Sequence, residues 1–198
     1  SPESSPSSNV INDKAVVMSF IDSRLNENKQ NIYLYMVPLM PFGSAKFSIP
    51  EGSSVHANSG LWTNYNPKED FAKALAQELT VSNTFNEAYF SYKNDEKYSV
   101  KGEIINTDYQ AKFFSYCLSI YGPALWFLGA PATKISNSIK LELSVVNNDT
   151  GVVMYINTYE REIQHVSWIY KMKSDFNYSD MITEIYKEFL SDFRTSQR

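Results

Sequence analysis

The chain has 198 residues and a mass of 22.7 kDa, which is enough to bury the core of one domain. Its net charge is −4, its pI is about 5.2, and lysine and arginine do not cluster, so we expect no nucleic-acid partner. A single cysteine, Cys117, excludes an intramolecular disulfide and a cysteine-rich zinc site.

The first residues, SPESSPSSN, predict a disordered Ser/Pro tether over residues 1–13, because so polar a segment has little apolar surface to bury. We expect a single folded domain over residues 14–198. A tether directly before a domain is typical of a mature bacterial lipoprotein whose signal peptide and lipid-bearing cysteine precede Ser1. The disordered tail of a cytosolic protein is the alternative.

A buried strand is predicted at residues 15–21 (AVVMSFI), and a second, short strand is predicted at 32–37. The prolines and glycines of residues 38–60 then predict a long irregular segment. Asn66 followed by Pro67 is typical of a helix start, and the apolar residues that follow at helical spacing predict a helix over about 67–82.

Runs rich in β-forming residues and separated by polar turns fill the middle of the chain. They predict strands at 85–92, 98–106, 111–120, 139–145, 152–159 and 163–172, with a hairpin turn at 147–151. An apolar stripe predicts a closing helix over about 178–193. The predicted fold class is therefore α+β: a mostly antiparallel β-sheet packed with two principal helices as a two-layer sandwich.

Residues 113–133 (FFSYCLSIYGPALWFLGAPAT) carry no formal charge, although 20% of the chain is charged. Their length suits a transmembrane helix, but Gly122 and Pro123 near the middle argue against one. A buried strand over 111–120 followed by a Gly/Pro loop is the first interpretation. The second is a partly exposed loop over 123–131 that offers four candidate partner contacts: Leu125, Trp126, Phe127 and Leu128.

The sequence contains no marked catalytic or metal-binding motif. Cys117, within the predicted apolar strand, is expected to be a small buried hydrophobe rather than a nucleophile. Residues 160–165 (EREIQH) mix carboxylates with an imidazole, but on a strand Glu160 and Glu162 share one face while His165 lies on the other. We therefore predict no catalytic residue, no metal ligand, no cofactor and no enzyme, and a hydrolase with an unmarked site remains as an alternative.

Several segments resemble the periplasmic domains of bacterial outer-membrane lipoproteins. AVVMSFIDSR, VPLMPFG, FAKALAQELTVSNTFNEAYF and YSVKGEIINTDYQ are similar to parts of the amino-terminal domain of TolB and of the curli-secretion lipoprotein CsgG. YGPALWFLGAP followed by IKLELSVVNNDTGVVMY resembles uncharacterised envelope lipoproteins of proteobacteria. The resemblance implies an α/β adaptor domain that is tethered to the outer membrane and has no catalytic residues.

The tether and the resemblance together predict a non-enzymatic periplasmic lipoprotein, anchored to the outer membrane through a lipid outside this sequence. Its predicted role is that of an adaptor or assembly factor that binds an envelope protein. The alternative is a carrier of a hydrophobic ligand such as a lipid, because an aromatic-rich sheet under two helices suits an apolar pocket.

Overall fold

The computed structural model describes residues 11–25, 27–48, 66–170 and 178–197. In chain order the elements are β1 (Ile11–Val17), β2 (Ile21–Asp22), β3 (Asn28–Asn31), a 3₁₀ helix (Ile32–Met36), β4 (Phe42–Phe47), α1 (Pro67–Val81), β5 (Phe85–Phe90), β6 (Tyr98–Phe114), a 3₁₀ turn (Ser119–Tyr121), α2 (Gly122–Phe127), β7 (Thr133–Asn147), β8 (Val152–Ser167) and α3 (Tyr178–Ser196). None of the helices in the described ranges combines the length and the apolarity needed to cross a membrane.

The described strands form one eight-stranded sheet around the long strand β6. Along one edge β6 pairs antiparallel with β7, which pairs in turn with β8. The other edge of β6 is shared in succession by β1 and β2, which run parallel to it, and by β4, which runs antiparallel. β5 lies outside β1, and β3 lies outside β4. The sheet is therefore mostly antiparallel, and the connections of its longest strands meet at its two ends.

Helices α1 and α3 lie side by side on one face of the sheet, and we call the other face the open face. Their apolar stripes are fully buried, including Leu75 and Leu79 of α1 and Phe189 and Phe193 of α3. On β7 the buried apolar residues alternate with half-buried polar ones, as a strand with one core-facing side requires. This arrangement confirms the predicted α+β class and both predicted helices.

α1 starts after Asn66, as predicted, but the Asn66 side chain does not cap the backbone and instead donates to Glu69 Oε1 at 2.9 Å. The carbonyl oxygen of Asn66 accepts hydrogen bonds from the backbone N–H groups of Glu69 (3.1 Å) and Asp70 (2.8 Å). The Asp70 carboxylate in turn accepts the backbone N–H of Asn66 at 3.0 Å. Because these hydrogen bonds join only residues 66–70, the start of the helix could be predicted from the local sequence.

A buried ion pair fixes β2 and the chain after it against the middle of β6. The Arg24 guanidinium donates to both carboxylate oxygens of Asp22 (2.8 and 2.6 Å) and to Thr107 Oγ1 (2.9 Å), and its side chain is 1% exposed. The hydrogen bonds from Arg24 hold the pKa of Asp22 below its ordinary value, although burial of the carboxyl opposes that shift. The residues Asp22 and Arg24 at the end of the segment AVVMSFIDSR therefore have a structural role here.

Several predicted boundaries were wrong. The strands predicted at 98–106 and 111–120 are parts of one strand, β6, which carries an irregularity between Ile104 and Asn106 and ends at Phe114. The runs at 152–159 and 163–172 are likewise joined in β8, which ends at Ser167. The ladder with β7 continues through the polar residues between the predicted strands, so cross-strand pairing overrides the local turn signal.

The amino-terminal third also differs from the expectation. Residues 32–36 form a 3₁₀ helix rather than a strand, and the segment predicted to be irregular contains β4, which pairs with β6. β1 begins at Ile11, within the predicted tether, while residues 1–10 lie outside the described residues. Pairing with distant strands, rather than local composition, sets these elements.

Candidate functional site

Three connecting segments meet at one end of the sheet, where β6 ends, β7 begins, β8 ends and β4 begins. They are residues 32–41, residues 115–132 and the described part, 168–170, of the connection from β8 to α3, and we call them together the apolar end. None of these residues carries a formal charge. The uncharged runs extend into the flanking strands. Residues 30–45, between Lys29 and Lys46, and residues 113–133, between Lys112 and Lys134, carry no formal charge.

Hydrogen bonds to backbone oxygens hold the first two segments together. The backbone N–H groups of Ser115 and Tyr116 donate to the carbonyl oxygen of Pro41 at 2.9 and 3.1 Å, and Ser115 Oγ donates to Met40 at 2.5 Å. Ser119 Oγ also donates to the carbonyl oxygen of Met36. These bonds replace the strand ladder after Phe114, which explains why the predicted strand does not reach residue 120.

Aromatic side chains tie the rest of the apolar end to the sheet. Trp126 Nε1 donates to the carbonyl oxygen of Phe114 at 2.9 Å, and the Tyr116 hydroxyl donates to that of Pro131 at 2.5 Å. From the segment after β8, the Tyr170 hydroxyl donates to the carbonyl oxygen of Phe127 at 3.1 Å. All three segments are thus fixed to one another or to β6, as a preformed surface requires.

The side chains that project from this end are large and apolar. Leu39 and Leu128 are each 82% exposed, Tyr121 is 74% exposed and Tyr170 is 73% exposed. The exposed large apolar side chains of the apolar end are Ile32, Tyr33, Met36, Val37, Leu39, Leu118, Ile120, Tyr121, Phe127, Leu128, Trp168 and Tyr170. Single exposed apolar residues are common on proteins, but so many in three adjoining uncharged segments mark an interaction surface.

The structure separates the four candidate contact residues into two pairs. Phe127 and Leu128 are exposed, whereas Leu125 and Trp126 are half-buried, and Trp126 anchors the segment through its indole N–H. The segment expected to be a loop begins as the short helix α2 and continues as a turn. Cys117 is exposed rather than buried, because it lies beyond the end of β6.

Backbone strain is concentrated at the same end. Among the described residues, five that are not glycine have positive φ, and four of them, Leu39, Tyr116, Cys117 and Ser119, lie in the apolar end. Such conformations cost roughly 1–3 kcal/mol each and persist only where the surroundings enforce them. The hydrogen bonds to Pro41, Met40 and Met36 supply that enforcement.

Lysines on the open face border the apolar end in two directly opposed pairs. Lys29 faces Lys46 across β3 and β4, and Lys112 faces Lys134 across β6 and β7. Lys112 Nζ also lies 5.1 Å from the centre of the Phe42 ring. Like charges directly opposite each other destabilise a sheet, so neither pair is explained by folding alone.

Acidic side chains compensate this positive charge only in part. Asp108 lies 3.1 Å from Lys46 and accepts hydrogen bonds from Ser48 and Asn106. Burial opposes the shift, but these bonds and the lysine keep the pKa of Asp108 below its ordinary value. Glu162 has a lowered pKa mainly through hydrogen bonds from Ser136 and Gln164, with a smaller contribution from Lys134. Among the described residues, these two carboxylates lie beside the four lysines.

The remaining chemical candidates do not form a site. On β8, Glu160 and Glu162 are exposed, while Arg161 faces α3 and pairs with Glu188, so His165 is on the helix-facing side as the strand pattern predicted. The described ranges contain no group of three or more His, Cys, Asp or Glu side chains placed to hold a metal ion. His56 lies outside the described residues.

Sequence reasoning recognised one of the three segments and missed the others. Residues 30–45 are bounded by lysines and free of charge in the same way as residues 113–133, so the same signal was present there. The described residues 168–170 are followed in the sequence by Lys171 and Lys173, so no long uncharged run marks this part of the chain. Only the sheet register shows that all three lie together.

Comparisons with known proteins give weak structural similarity only. No protein-family model and no curated protein matches the chain. A PelC dodecamer from Paraburkholderia phytofirmans is similar over 96% of this chain and 92% of its own, with 11% identity and a TM-score of 0.43. A Xanthomonas campestris protein of the DUF330 family is similar over 97% and 90%, with 9% identity and a TM-score of 0.48.

A putative neuraminyllactose-binding hemagglutinin homolog from Helicobacter pylori is similar over 98% of this chain and 88% of its own, with 9% identity and a TM-score of 0.39. All three are bacterial proteins. The resemblance to TolB and CsgG domains expected from the sequence is not shown by these comparisons. At such identities and TM-scores, they assign neither a family nor a function to this chain.

Proposed function

We propose that this protein is a non-enzymatic component of the bacterial envelope that works by docking its apolar end on another component of the envelope. The observation that carries the proposal is the set of exposed apolar side chains on three adjoining uncharged segments. Such a surface is unfavourable in water and favourable once covered. Its fixed backbone means that little ordering is needed on binding.

The absence of enzymatic activity is part of the proposal. In the described ranges, the carboxylates beside the apolar end are bound to lysine, serine or amide side chains, and His165 faces the opposite side of β8 from Glu160 and Glu162. Neither ring nitrogen of His165, the one histidine among the described residues, has a hydrogen-bond partner, so no serine there is paired with an imidazole base. The apolar end, rather than a polar cleft, is the surface suited to function.

The envelope location rests on the sequence. The Ser/Pro-rich composition of the amino-terminal segment suits a flexible tether, and a lipid attached upstream of it would anchor the domain to the outer membrane. Expression of the full-length precursor with labelled palmitate tests this anchor. Label in the mature protein supports a lipoprotein, and its absence from a processed protein contradicts one.

The carrier alternative gains no support from the described core. The space between the helices and the sheet is filled by side chains that are at most 1% exposed, including Phe85, Phe189, Phe193 and Tyr186. These rings also contact one another, as in the stacked pair Phe85 and Phe193. A lipid-sized ligand would have to displace them.

The docking surface is tested with the double variant Phe127→Ser and Leu128→Ser. Both side chains are exposed, so the variant is expected to keep the wild-type circular dichroism spectrum and melting temperature. We expect at least a tenfold loss of co-sedimentation with isolated envelopes of a Gram-negative bacterium, since each anchor buried in a contact contributes about 1.5–3 kcal/mol.

The matched control is Val152→Ser with Val153→Ser, because these exposed apolar residues lie at the opposite end of the same sheet. The control should sediment with envelopes as the wild type does. Equal losses in both double variants would contradict the assignment of the docking surface. A wild-type protein that does not bind envelopes at all would contradict the proposed function itself.

A further inference from the structure

We propose that the component covered by the apolar end is a lipid bilayer with anionic headgroups, into which this end inserts at the level of the interface. The inference rests on the proposed function and names its partner. It follows from three features of the described residues: the uncharged surface, the opposed lysine pairs beside it, and the distance between the two.

The surface is more uniformly uncharged than a protein contact needs to be. Interfaces between proteins are, as a whole, about as apolar as the rest of the surface and carry a polar and charged rim. Here residues 32–41, 115–132 and 168–170, from distant parts of the chain, contribute no acidic or basic side chain to a common end, and in the sequence Lys171 follows the third of these ranges. A hydrocarbon phase rejects charge much more strongly than a protein partner, which can supply a counter-charge.

The sign of the bordering charge points to an anionic partner. Every residue that bounds the two long uncharged segments is a lysine, in a chain whose net charge is −4. The pairs Lys29 with Lys46 and Lys112 with Lys134 lie on one face of the sheet, where like charges repel. Lipid phosphates at that level would relieve the repulsion and attract each lysine.

The nearby acids leave a positive excess at the border. Asp108 is bound to Lys46, and Glu162 lies near Lys134, whereas Lys112 contacts the Phe42 ring. The long methylene stems of lysines can lie along apolar surface while the ammonium groups reach water or phosphate. Lys112 and Lys134 are therefore the residues we expect to contact headgroups most directly.

The spacing fits the depth of an interfacial contact. Lys112 precedes the last residue of β6, Phe114, by two positions, or about 7 Å along a strand that rises about 3.3 Å per residue. Interfacial elements bury their apolar face roughly 5–10 Å into the boundary between headgroups and acyl chains. When the apolar end is inserted to that depth, Lys112 and Lys134 reach the level of the phosphates, while Lys29 and Lys46 lie about 7 Å further from the bilayer, because Lys46 is paired with Gln110.

The aromatic residues of the apolar end support the same orientation. Tyr121, Trp168 and Tyr170 are exposed there, and each combines an apolar ring with a polar group. Tyrosine and tryptophan concentrate at membrane–water interfaces for this reason. Leu39 and Leu128, the most exposed of the large apolar side chains of the apolar end, have no polar group and are placed to enter the acyl region.

The experiment is co-sedimentation of the full chain with vesicles of phosphatidylglycerol and phosphatidylethanolamine, and with vesicles of phosphatidylcholine alone. We expect clear binding to the anionic vesicles and weaker binding to the neutral ones. The Phe127→Ser and Leu128→Ser double variant should lose binding to both. Lys112→Gln with Lys134→Gln should weaken binding to anionic vesicles about 30-fold, since each lysine contributes about 1 kcal/mol near such a surface.

Two controls separate the apolar end from general properties of the chain. Lys93→Gln with Lys97→Gln changes the net charge equally but lies in the turn before β6, at the other end of the sheet. Val152→Ser with Val153→Ser removes equivalent apolar surface at that end. Both controls should bind anionic vesicles as the wild type does, and all variants should show the wild-type circular dichroism spectrum.

The outcomes distinguish this inference from the proposed function. Binding to isolated envelopes that is lost after protease treatment, without binding to vesicles, overturns the lipid partner and leaves docking on an envelope protein. Equal binding to anionic and neutral vesicles, unaffected by the Lys112 and Lys134 substitutions, overturns the role of the lysines. Controls as weak as the test variants overturn the assigned surface.

Discussion

The two ends of the long strands β6, β7 and β8 differ in the side chains that they expose to solvent. At the apolar end, connecting segments that hold no charge expose leucine, tyrosine and phenylalanine side chains. At the other end, which we call the polar end (residues 91–97 and 148–151), Asn148 bonds to Asn94, Ser99 and the backbone of Glu96. Lys97 pairs there with Asp13 at 2.9 Å.

The same three strands supply both ends, so the backbone does not impose the difference. The polar end holds Asn148 and Lys97 in internal bonds and leaves charged side chains in solvent, although Tyr92, Val152 and Val153 are also exposed there. The apolar end saturates its backbone groups in the same way but leaves large apolar side chains uncovered. That contrast is the observation on which the proposed docking surface rests.

The largest expected effect comes from removing the buried ion pair that holds the chain leading to the apolar end. Arg24→Ala should lower the free energy of unfolding by about 3 kcal/mol, because it leaves the Asp22 carboxylate without its partner in a partly buried site. Urea denaturation measures this loss. Hydrogen exchange should show weakened protection in β2 and β4 and unchanged protection in the hairpin between β7 and β8.

The control for this prediction is Lys97→Ala, which removes an exposed ion pair of the polar end. Its urea midpoint should stay close to that of the wild type, because exposed ion pairs are screened by solvent. Similar destabilisation in the two variants would show that the buried pair of Arg24 with Asp22 contributes no more to stability than an exposed ion pair does.

A glycine at each end gives a second test. A Cβ on Gly122 would lie 2.3 Å from the carbonyl oxygen of Ser115, so Gly122→Ala should cost about 3 kcal/mol, the upper range for an overpacked site. Gly151 in the β7–β8 hairpin has a φ of +69° and open space around it. Gly151→Ala should therefore cost only about 1 kcal/mol, from the left-handed backbone alone.

Thermal unfolding of the two alanine variants measures this difference. A Gly122→Ala protein as stable as the Gly151→Ala protein would mean that the turn after β6 can move away from Ser115. In that case the apolar end would be a pliable surface rather than a preformed one, and its affinity for a partner would carry an ordering cost.

The smallest expected effect is a decrease in the free energy of unfolding at low pH. The pKa values of Asp22 and Asp108 are lowered in the folded protein, so their stabilising contribution is complete above the ordinary aspartate pKa near 3.8. It is lost as the pH falls through the lowered values, because the unfolded chain then binds protons more readily. The free energy of unfolding should therefore decrease with falling pH below about 4.

Urea titrations at several pH values check this dependence. Asp22→Asn should flatten it, whereas Asp149→Asn in the exposed hairpin turn serves as the control and should leave it unchanged. If the free energy of unfolding depends on pH as steeply in the Asp22→Asn protein as in the wild type, the pair of Asp22 with Arg24 is not the source of that dependence.

The comparison of the two ends also shows which features of the structure could be predicted from the sequence. The start of α1, the helix α3 and the alternating strand β7 were predicted because their signals are local: a capping pattern, an apolar stripe and a period of two. The hairpin of the polar end was predicted for the same reason, since its turn residues are contiguous. Of the apolar end, only residues 113–133 were recognised as a long uncharged segment. The strand predicted over 111–120 was drawn too long, since β6 ends at Phe114.

By itself, the sequence determined the fold class, the two principal helices and the existence of a long uncharged segment, because composition and periodicity act between near neighbours. Only the tertiary structure decided that residues 32–41, 115–132 and 168–170 share one surface, that Cys117 is exposed, and that lysines oppose each other beside it. Those facts depend on the register of strands far apart in the chain, which no local pattern encodes.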